Sequence, residues 1–169
     1  MTKKTIKTAA VIFAAMLMMC GCSANNKAKE DSPAANTEKA ADITAEELLA
    51  DISSENLDGR ISKGDGLYDK NAANFYGTGF ANIIDGAILY NDNDGYADEV
   101  SAVKFDESVD GQELLKERLE SRTASFRDYR PEEVGKLEKA KIFNAGGFDV
   151  LIISDDADAI EKQIKDKLS

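Results

Sequence analysis

The two cysteines both lie near the N-terminus, in a context that predicts lipid attachment. Three lysines precede an unbroken apolar run, residues 9–19, which is shorter than the roughly 20 residues that a bilayer span needs. A bacterial lipobox requires a small residue before the acylated cysteine. Gly21 meets this requirement for Cys22, whereas a bulky methionine precedes Cys20. We therefore predict a signal peptide over residues 1–21 and a diacylglyceryl anchor on Cys22, because two acyl chains give stable attachment. A plain transmembrane anchor is the alternative.

Three carboxylates, Asp155, Asp156 and Asp158, follow an apolar run and precede a helical pattern. Carboxylates at this spacing could hold Ca²⁺ or Mg²⁺, or could supply the acid and the base of a hydrolase. The same residues would also suit a helix N-cap and first turn, where negative charge complements the helix dipole. We favour the cap, and keep the hydrolase as the alternative.

Two arginines lie four residues apart on a predicted helix, in a chain that is otherwise acidic. Arg118 and Arg122 therefore share one helix face and could bind an anionic ligand bidentately. They could equally form surface ion pairs with the acidic residues near them, which are Glu113, Glu117, Asp128 and Glu132. Both interpretations remain open from the sequence.

Aromatic residues cluster between positions 68 and 80. Tyr68 and Tyr76, together with Phe75 and Phe80, could line a groove for a peptide or glycan. Aromatic side chains more often supply buried area, so they could instead cover a sheet. We consider Tyr68 and Tyr76 candidate ligand-binding residues, beside the two arginines.

The composition excludes several classes of chemistry. The chain has 169 residues, no histidine and a formal net charge of −11. Without histidine there is no Ser-His-Asp or Cys-His nucleophile and no imidazole metal site. The acidic balance disfavours nucleic acid as a partner, because binding to phosphates draws on clustered lysine and arginine. We therefore expect no metal and no cofactor.

The rest of the chain predicts a flexible tether, residues 22–42 including the lipidated cysteine, and a single α+β domain, residues 43–169. The tether contains no large apolar residue that could offset its ordering entropy. Capping signals and spacings of three and four predict helices over 44–55, 67–76, 110–126, 131–137 and 156–168. Apolar runs, the Asn-Asp turn at 91–95 and Gly146-Gly147 predict two hairpins, with strands over 87–90, 100–105, 141–145 and 148–154.

This pattern predicts the order α-α-β-β-α-α-β-β-α, with one four-stranded antiparallel sheet covered by helices on one face. The strand over 148–154 is almost continuously apolar. We therefore expect it to be central and covered.

From about Tyr76 to Ile164 the chain resembles a family of small Gram-positive lipoproteins that share a domain of unknown function. The resemblance is carried by short blocks: Glu99-Val100-Ser101-Ala102-Val103-Lys104, Arg118-Leu119-Glu120-Ser121-Arg122, Ser125-Phe126-Arg127-Asp128-Tyr129 with Pro131, Gly147-Phe148-Asp149-Val150 and Ile153-Ser154-Asp155-Asp156. The Gly-rich segment from Gly59 to Gly79 departs from the usual pattern. The resemblance implies a cell-surface lipoprotein with an α+β domain, and it implies no catalytic residues.

Together these features predict a lipid-anchored protein on the extracytoplasmic side of the cell membrane. The anchor, the tether and a domain without histidine or thiol favour a non-catalytic binding module over an enzyme. Its partner would be an envelope protein, a peptide or a small ligand. A hydrolase that uses only the carboxylates of Asp155, Asp156 and Asp158 is the rival hypothesis.

Overall fold

Five antiparallel strands form one sheet in the part of the chain that the computed structural model describes, residues 43–93 and 95–169. The strands run in the spatial order β1-β2-β3-β5-β4. Their bounds are β1 Gly59–Ser62, β2 Ile83–Tyr90, β3 Glu99–Phe105, β4 Lys141–Ala145 and β5 Phe148–Ile153. The predicted signal peptide, the Cys22 anchor and the tether lie outside the described residues, as does Asp94 of the predicted turn.

The prediction of four strands was wrong, because β1 adds an edge strand beside β2. Strand β1 lies within residues 56–66, which contain three glycines and were therefore predicted to form a loop. Gly59 serves close packing instead: a Cβ atom there would lie 2.6 Å from Cζ of Tyr90, so only glycine admits the ring. The remaining apolar signal is a single residue, Ile61, which is too little for a period-two pattern.

The prediction that helices cover one face was also wrong, because both faces are buried. Alternate residues of β5 enter two separate cores: Val150 and Ile152 pack with one set of helices, and Leu151 and Ile153 with the other. A strand that is apolar at nearly every position has no face suited to water. The prediction that this strand is central and covered is confirmed, since β5 pairs with β3 on one side and β4 on the other.

The helices and 3₁₀ segments fill both layers. Their bounds are α1 Ala45–Leu48, α2 Gly66–Tyr76, a 3₁₀ segment Gly77–Asn82, α3 Gly111–Tyr129, a 3₁₀ segment Pro131–Glu133, α4 Val134–Leu137 and α5 Ala157–Lys167. Helices α1 and α5 contribute to the first core, and α2, α3 and α4 to the second. The element order therefore agrees with the sequence, apart from the extra edge strand.

Local signals set two of the boundaries. The capping box at Thr44 is confirmed: its hydroxyl accepts from the Glu47 backbone N–H at 3.2 Å, and its own N–H donates to the Glu47 carboxylate at 2.9 Å. Helix α1 nevertheless ends after one turn, because the backbone tightens and Ile52 N donates to Leu49 O three residues back. The side chains of Leu49 and Ile52 are both buried as a result.

Candidate functional site

A cleft of about 340 Å³ is lined by residues of α2, of α3 and of the sheet face that these helices cover. Helix α2 lines it with Leu67, Asn71 and Phe75, which are four residues apart and so share one face. Tyr68 and Tyr76, one position further along the chain, face the core. The cleft and the core therefore use adjacent stripes of the same helix.

Helix α3 lines the cleft with a second stripe at the same spacing: Arg118, Arg122 and Phe126. The helix begins at Gly111 after Asp110, whose side chain accepts from the Glu113 backbone N–H. Leu115 of this helix is fully buried in the second core. This packing turns the arginine stripe toward the cleft and toward the start of β3.

The buried end of the cleft is built around Glu99, the first residue of β3, whose side chain is only 1% exposed. Arg118 meets it with two parallel hydrogen bonds, from Nε to Oε1 at 2.6 Å and from Nη2 to Oε2 at 2.5 Å. Ser101 donates a third hydrogen bond to Oε1 at 2.8 Å. A bidentate pair of this kind fixes the orientation of both side chains.

The charges of the two arginines determine the ionisation of Glu99. Burial alone would raise its pKa, but the positive charges of Arg118 and Arg122 and the hydrogen bonds outweigh burial and hold the pKa at about 2. The pKa of Arg118 is raised, since the attraction of Glu99 outweighs its own desolvation. Glu99 is thus a carboxylate, and Arg118 a cation, at any physiological pH.

Arg122 is less completely paired than Arg118. Its Nη2 donates to the carbonyl of Ala97 at 2.9 Å, and its Nε lies 3.5 Å from Oε2 of Glu99. That Nε is buried without a hydrogen bond among the described residues. Its guanidinium lies 5.3 Å from the ring centre of Phe126, as that of Arg118 lies 4.1 Å from Phe75. Two arginines therefore share one buried carboxylate.

A second buried ionic cluster holds the same strand end from the other side. Nζ of Lys136 lies 2.6 Å from Oδ2 of Asp98 and 3.1 Å from Oε2 of Glu133. The same Glu133 oxygen accepts from the Ala97 backbone N–H at 3.0 Å. Residues 97–99 are thereby fixed between α3 and α4, which positions Glu99 at the end of the cleft.

The mouth of the cleft carries exposed apolar side chains beside the polar residues Asn71, Asn91 and Asp92. Of the five large hydrophobic side chains that are exposed in the described part of the chain, three line this cleft: Leu67, Tyr96 and Tyr129. Exposed apolar residues that gather in one place mark binding surfaces more often than single ones do. The cleft therefore combines a charged buried end with a rim that is apolar in part.

Among the sequence candidates, the structure brings Arg118 and Arg122 together in one cleft. Their ionic partner is Glu99, on another element, and not one of the acidic residues nearby in sequence. Glu113 pairs with Lys116, and Glu132 with Arg130.

The two tyrosines lie in the core. Tyr68 and Tyr76 are 0% and 2% exposed and pack in the second core, which matches the sheet-covering interpretation. Burial raises the pKa of both phenols well above the usual value. Neither tyrosine lines the cleft, so they are left out of the candidate site.

The three carboxylates of the hydrolase hypothesis lie outside the cleft that Glu99, Arg118 and Arg122 line. Asp155 lies 3.6 Å from Nζ of Lys136, and Asp158 forms an ion pair with Lys141. Asp156 stands at the N-cap of α5, although its side chain makes no capping hydrogen bond. Two of the three carboxylates thus face different lysines rather than each other.

Sequence reasoning missed Glu99, which is the centre of the site. One signal could have revealed it: a carboxylate and Ser101 alternate with apolar residues at the start of a strand, so both point to the same covered face. A charged residue on a covered face needs a cationic partner. The arginines of the α3 stripe, Arg118 and Arg122, could have been predicted as that cationic partner.

Residues 60–154 match the family model described as "Domain of unknown function (DUF4358)". This chain belongs to the DUF4358 family. The DUF4358 match begins earlier than the resemblance seen in the sequence, and it takes in most of the Gly-rich segment from Gly59 to Gly79. Every residue that lines the cleft lies inside the matched range.

No curated protein and no solved structure matches this DUF4358 protein. Within the described ranges, none of its helices has the length and apolar character that crossing a membrane would require.

Proposed function

We propose that this protein is a lipid-anchored, extracytoplasmic binding module that holds a small ligand in the cleft between α2, α3 and the sheet. The observation that carries the binding proposal is the cleft itself, with the Glu99–Arg118–Arg122 cluster at its buried end and exposed apolar side chains at its mouth. Its volume falls in the range of small-molecule sites, and such sites combine apolar walls with a few fixed polar groups.

The anchoring part of the proposal rests on the sequence. Cys22 follows Gly21 at the end of an apolar run that is too short for a bilayer span, and the family resemblance points to lipoproteins. The acidic chain would be repelled by anionic lipid headgroups, so a covalent anchor suits it better than electrostatic docking.

Mass analysis of the membrane fraction tests the anchor. The unaltered chain should begin at Cys22 and carry a diacylglyceryl group, and Cys22→Ala should leave the chain soluble or retained as precursor. Cys20→Ala is the matched control and should remain anchored. A mature chain that begins elsewhere would contradict the anchor.

Binding can be tested separately on the soluble fraction of the Cys22→Ala chain, with naphthalene-1-acetate and naphthalene-1-acetamide as probes. Two-dimensional NMR should show shifts at the backbone amides of Leu67, Phe75 and Tyr96 when either probe occupies the cleft. Thr123 and Ala124, which line a different cleft, should not respond. If neither probe perturbs the cleft, the binding proposal fails.

A further inference from the structure

The charges at the buried end of the cleft do not cancel. Glu99 carries one negative charge, and Arg118 and Arg122 carry two positive charges between them. The other acidic residue of the lining, Asp92, is exposed at the surface, so water screens its charge. Among the residues that line the cleft, the buried end therefore carries one positive charge in excess, whereas the neighbouring cluster of Asp98, Glu133 and Lys136 carries one negative charge in excess outside the lining.

The excess belongs to Arg122. Both oxygens of Glu99 are already engaged by Arg118, at 2.6 and 2.5 Å, while Arg122 lies 3.5 Å away. The structure gives Arg122 a single hydrogen bond within the described residues, to Ala97 O, and its Nε has none. Arg122 is thus the less fully paired of the two guanidinium groups, and its side chain lines the cleft and is 23% exposed, so an incoming acceptor can reach the guanidinium.

The rest of the lining offers apolar surface for a flat body, beside the polar side chains of Asn71, Asn91 and Asp92. The rings of Phe75 and Phe126 lie against the two guanidinium groups, and Leu67 and Tyr96 are exposed at the mouth. A bare inorganic anion would leave these apolar surfaces in water. An aromatic or aliphatic body would cover them and shield the ion pair below.

From these three observations we infer that the cleft selects a small organic carboxylate whose anionic group meets the Arg122 guanidinium and whose flat apolar body lies against the aromatic mouth. This inference rests on the proposed binding function. The chain carries a net charge of −11, so its overall field repels anions. A preference for an anion must therefore come from local contacts.

The test compares three naphthalene probes on the soluble Cys22→Ala chain by calorimetry at neutral pH: the 1-acetate, the isosteric 1-acetamide and the cationic 1-methylamine. The acetate should bind about 10- to 100-fold more tightly than the acetamide, as expected for hydrogen bonds to a charged group. The methylamine should bind more weakly than both. Inorganic phosphate at equal concentration should not displace the acetate.

The outcomes separate the two proposals. Equal binding of acetate and acetamide, or a preference for the amine, would overturn the carboxylate inference and leave the cleft as a binding site. Displacement by phosphate would overturn the role of the apolar body. If no probe binds at the cleft, the proposed function itself fails.

Variants then assign the preference to one residue. Arg122→Gln should bring acetate and acetamide within about twofold of each other, since the charge is gone. Arg127→Gln is the matched control: it makes the same charge change on the exposed surface of the same helix, outside the cleft, and should keep the full preference. An equal loss in both would indicate only a long-range charge effect and would overturn the assignment.

If Arg122→Gln does not fold, Arg122→Lys tests the role of the same residue. It keeps the charge but loses the planar fork, so the preference should fall without disappearing. An unchanged preference would overturn the role of the guanidinium.

Discussion

The hydroxyl oxygen of Tyr68 occupies the space that a side chain at Gly86 would need. A Cβ atom on Gly86 would lie 2.0 Å from that oxygen and 2.9 Å from Cζ of the same ring. Tyr68 is fully buried between α2 and the sheet, so displacing its ring would disturb the packed second core. The glycine of β2 therefore sets how closely α2 approaches the sheet, and with it one wall of the cleft.

Gly86→Ala should lower the free energy of unfolding by about 1–3 kcal/mol, because it forces a methyl group into a packed core. Gly135→Ala is the control. A Cβ there would meet no atom within 4 Å, and the position is helical, so alanine should stabilise the protein by up to about 1 kcal/mol. Urea unfolding measures both.

A double variant identifies the contact. The Tyr68 hydroxyl makes no hydrogen bond of ordinary geometry in the described part of the chain, so Tyr68→Phe alone should cost less than about 1 kcal/mol. Combined with Gly86→Ala it should recover part of the loss, since the clashing oxygen is absent. Costs that simply add would show that this oxygen is not the obstacle.

Glu99→Gln should destabilise the fold by about 3–5 kcal/mol at neutral pH, because it leaves Arg118 and Arg122 without their carboxylate. The pKa of Glu99 is lowered from its ordinary value of 4.5 to about 2. Its stabilising contribution is therefore complete above the ordinary value and is lost as the pH falls through the folded value. The difference between the unaltered chain and the variant should narrow between about pH 4.5 and pH 2.

Denaturant titrations across this pH range check the expectation. Glu113→Gln is the matched control, since it removes an exposed carboxylate that pairs with Lys116 at 3.1 Å. It should change stability by no more than about 1 kcal/mol. A stability difference for Glu99→Gln that stays constant down to pH 2 would contradict the assigned pKa.

Ile152→Asp should cost several kcal/mol, on the order of half the stability of an ordinary domain. Ile152 is 0% exposed in β5, paired with Val100 on one side and Lys141 on the other. A carboxylate there would have to be protonated or force the strand open. Chemical denaturation gives the magnitude.

Ile84→Asp makes the same chemical change in another strand, β2, where the side chain is 56% exposed. It should cost no more than about 1 kcal/mol. Similar unfolding midpoints for the two aspartate variants would mean that β5 is not buried as described.

The features that could be predicted depend on residues close together in the chain. The sequence predicted three such features: the capping box at Thr44, the tight hairpin at Gly146-Gly147 and the covered strand β5. Each arises from local hydrogen bonds, backbone conformation or an apolar run. Both hairpin glycines have positive φ, 58° and 82°, which glycine adopts without strain. The edge strand β1 could not be predicted, because Gly59 is needed to make room for the ring of Tyr90, which is far away in sequence.

By itself the sequence determined the acidic composition, the lack of histidine, the α+β class and the arginine stripe on α3, because helical spacing alone places Arg118 and Arg122 on one face. Only the tertiary structure decided what that face meets. It brought Glu99 across from β3 and gathered the apolar rim from α2, α3 and the loop before β3. It also covered the second face of the sheet. Side-chain pairing between distant segments depends on how the helices pack on the sheet, and spacing within one segment carries no information about that packing.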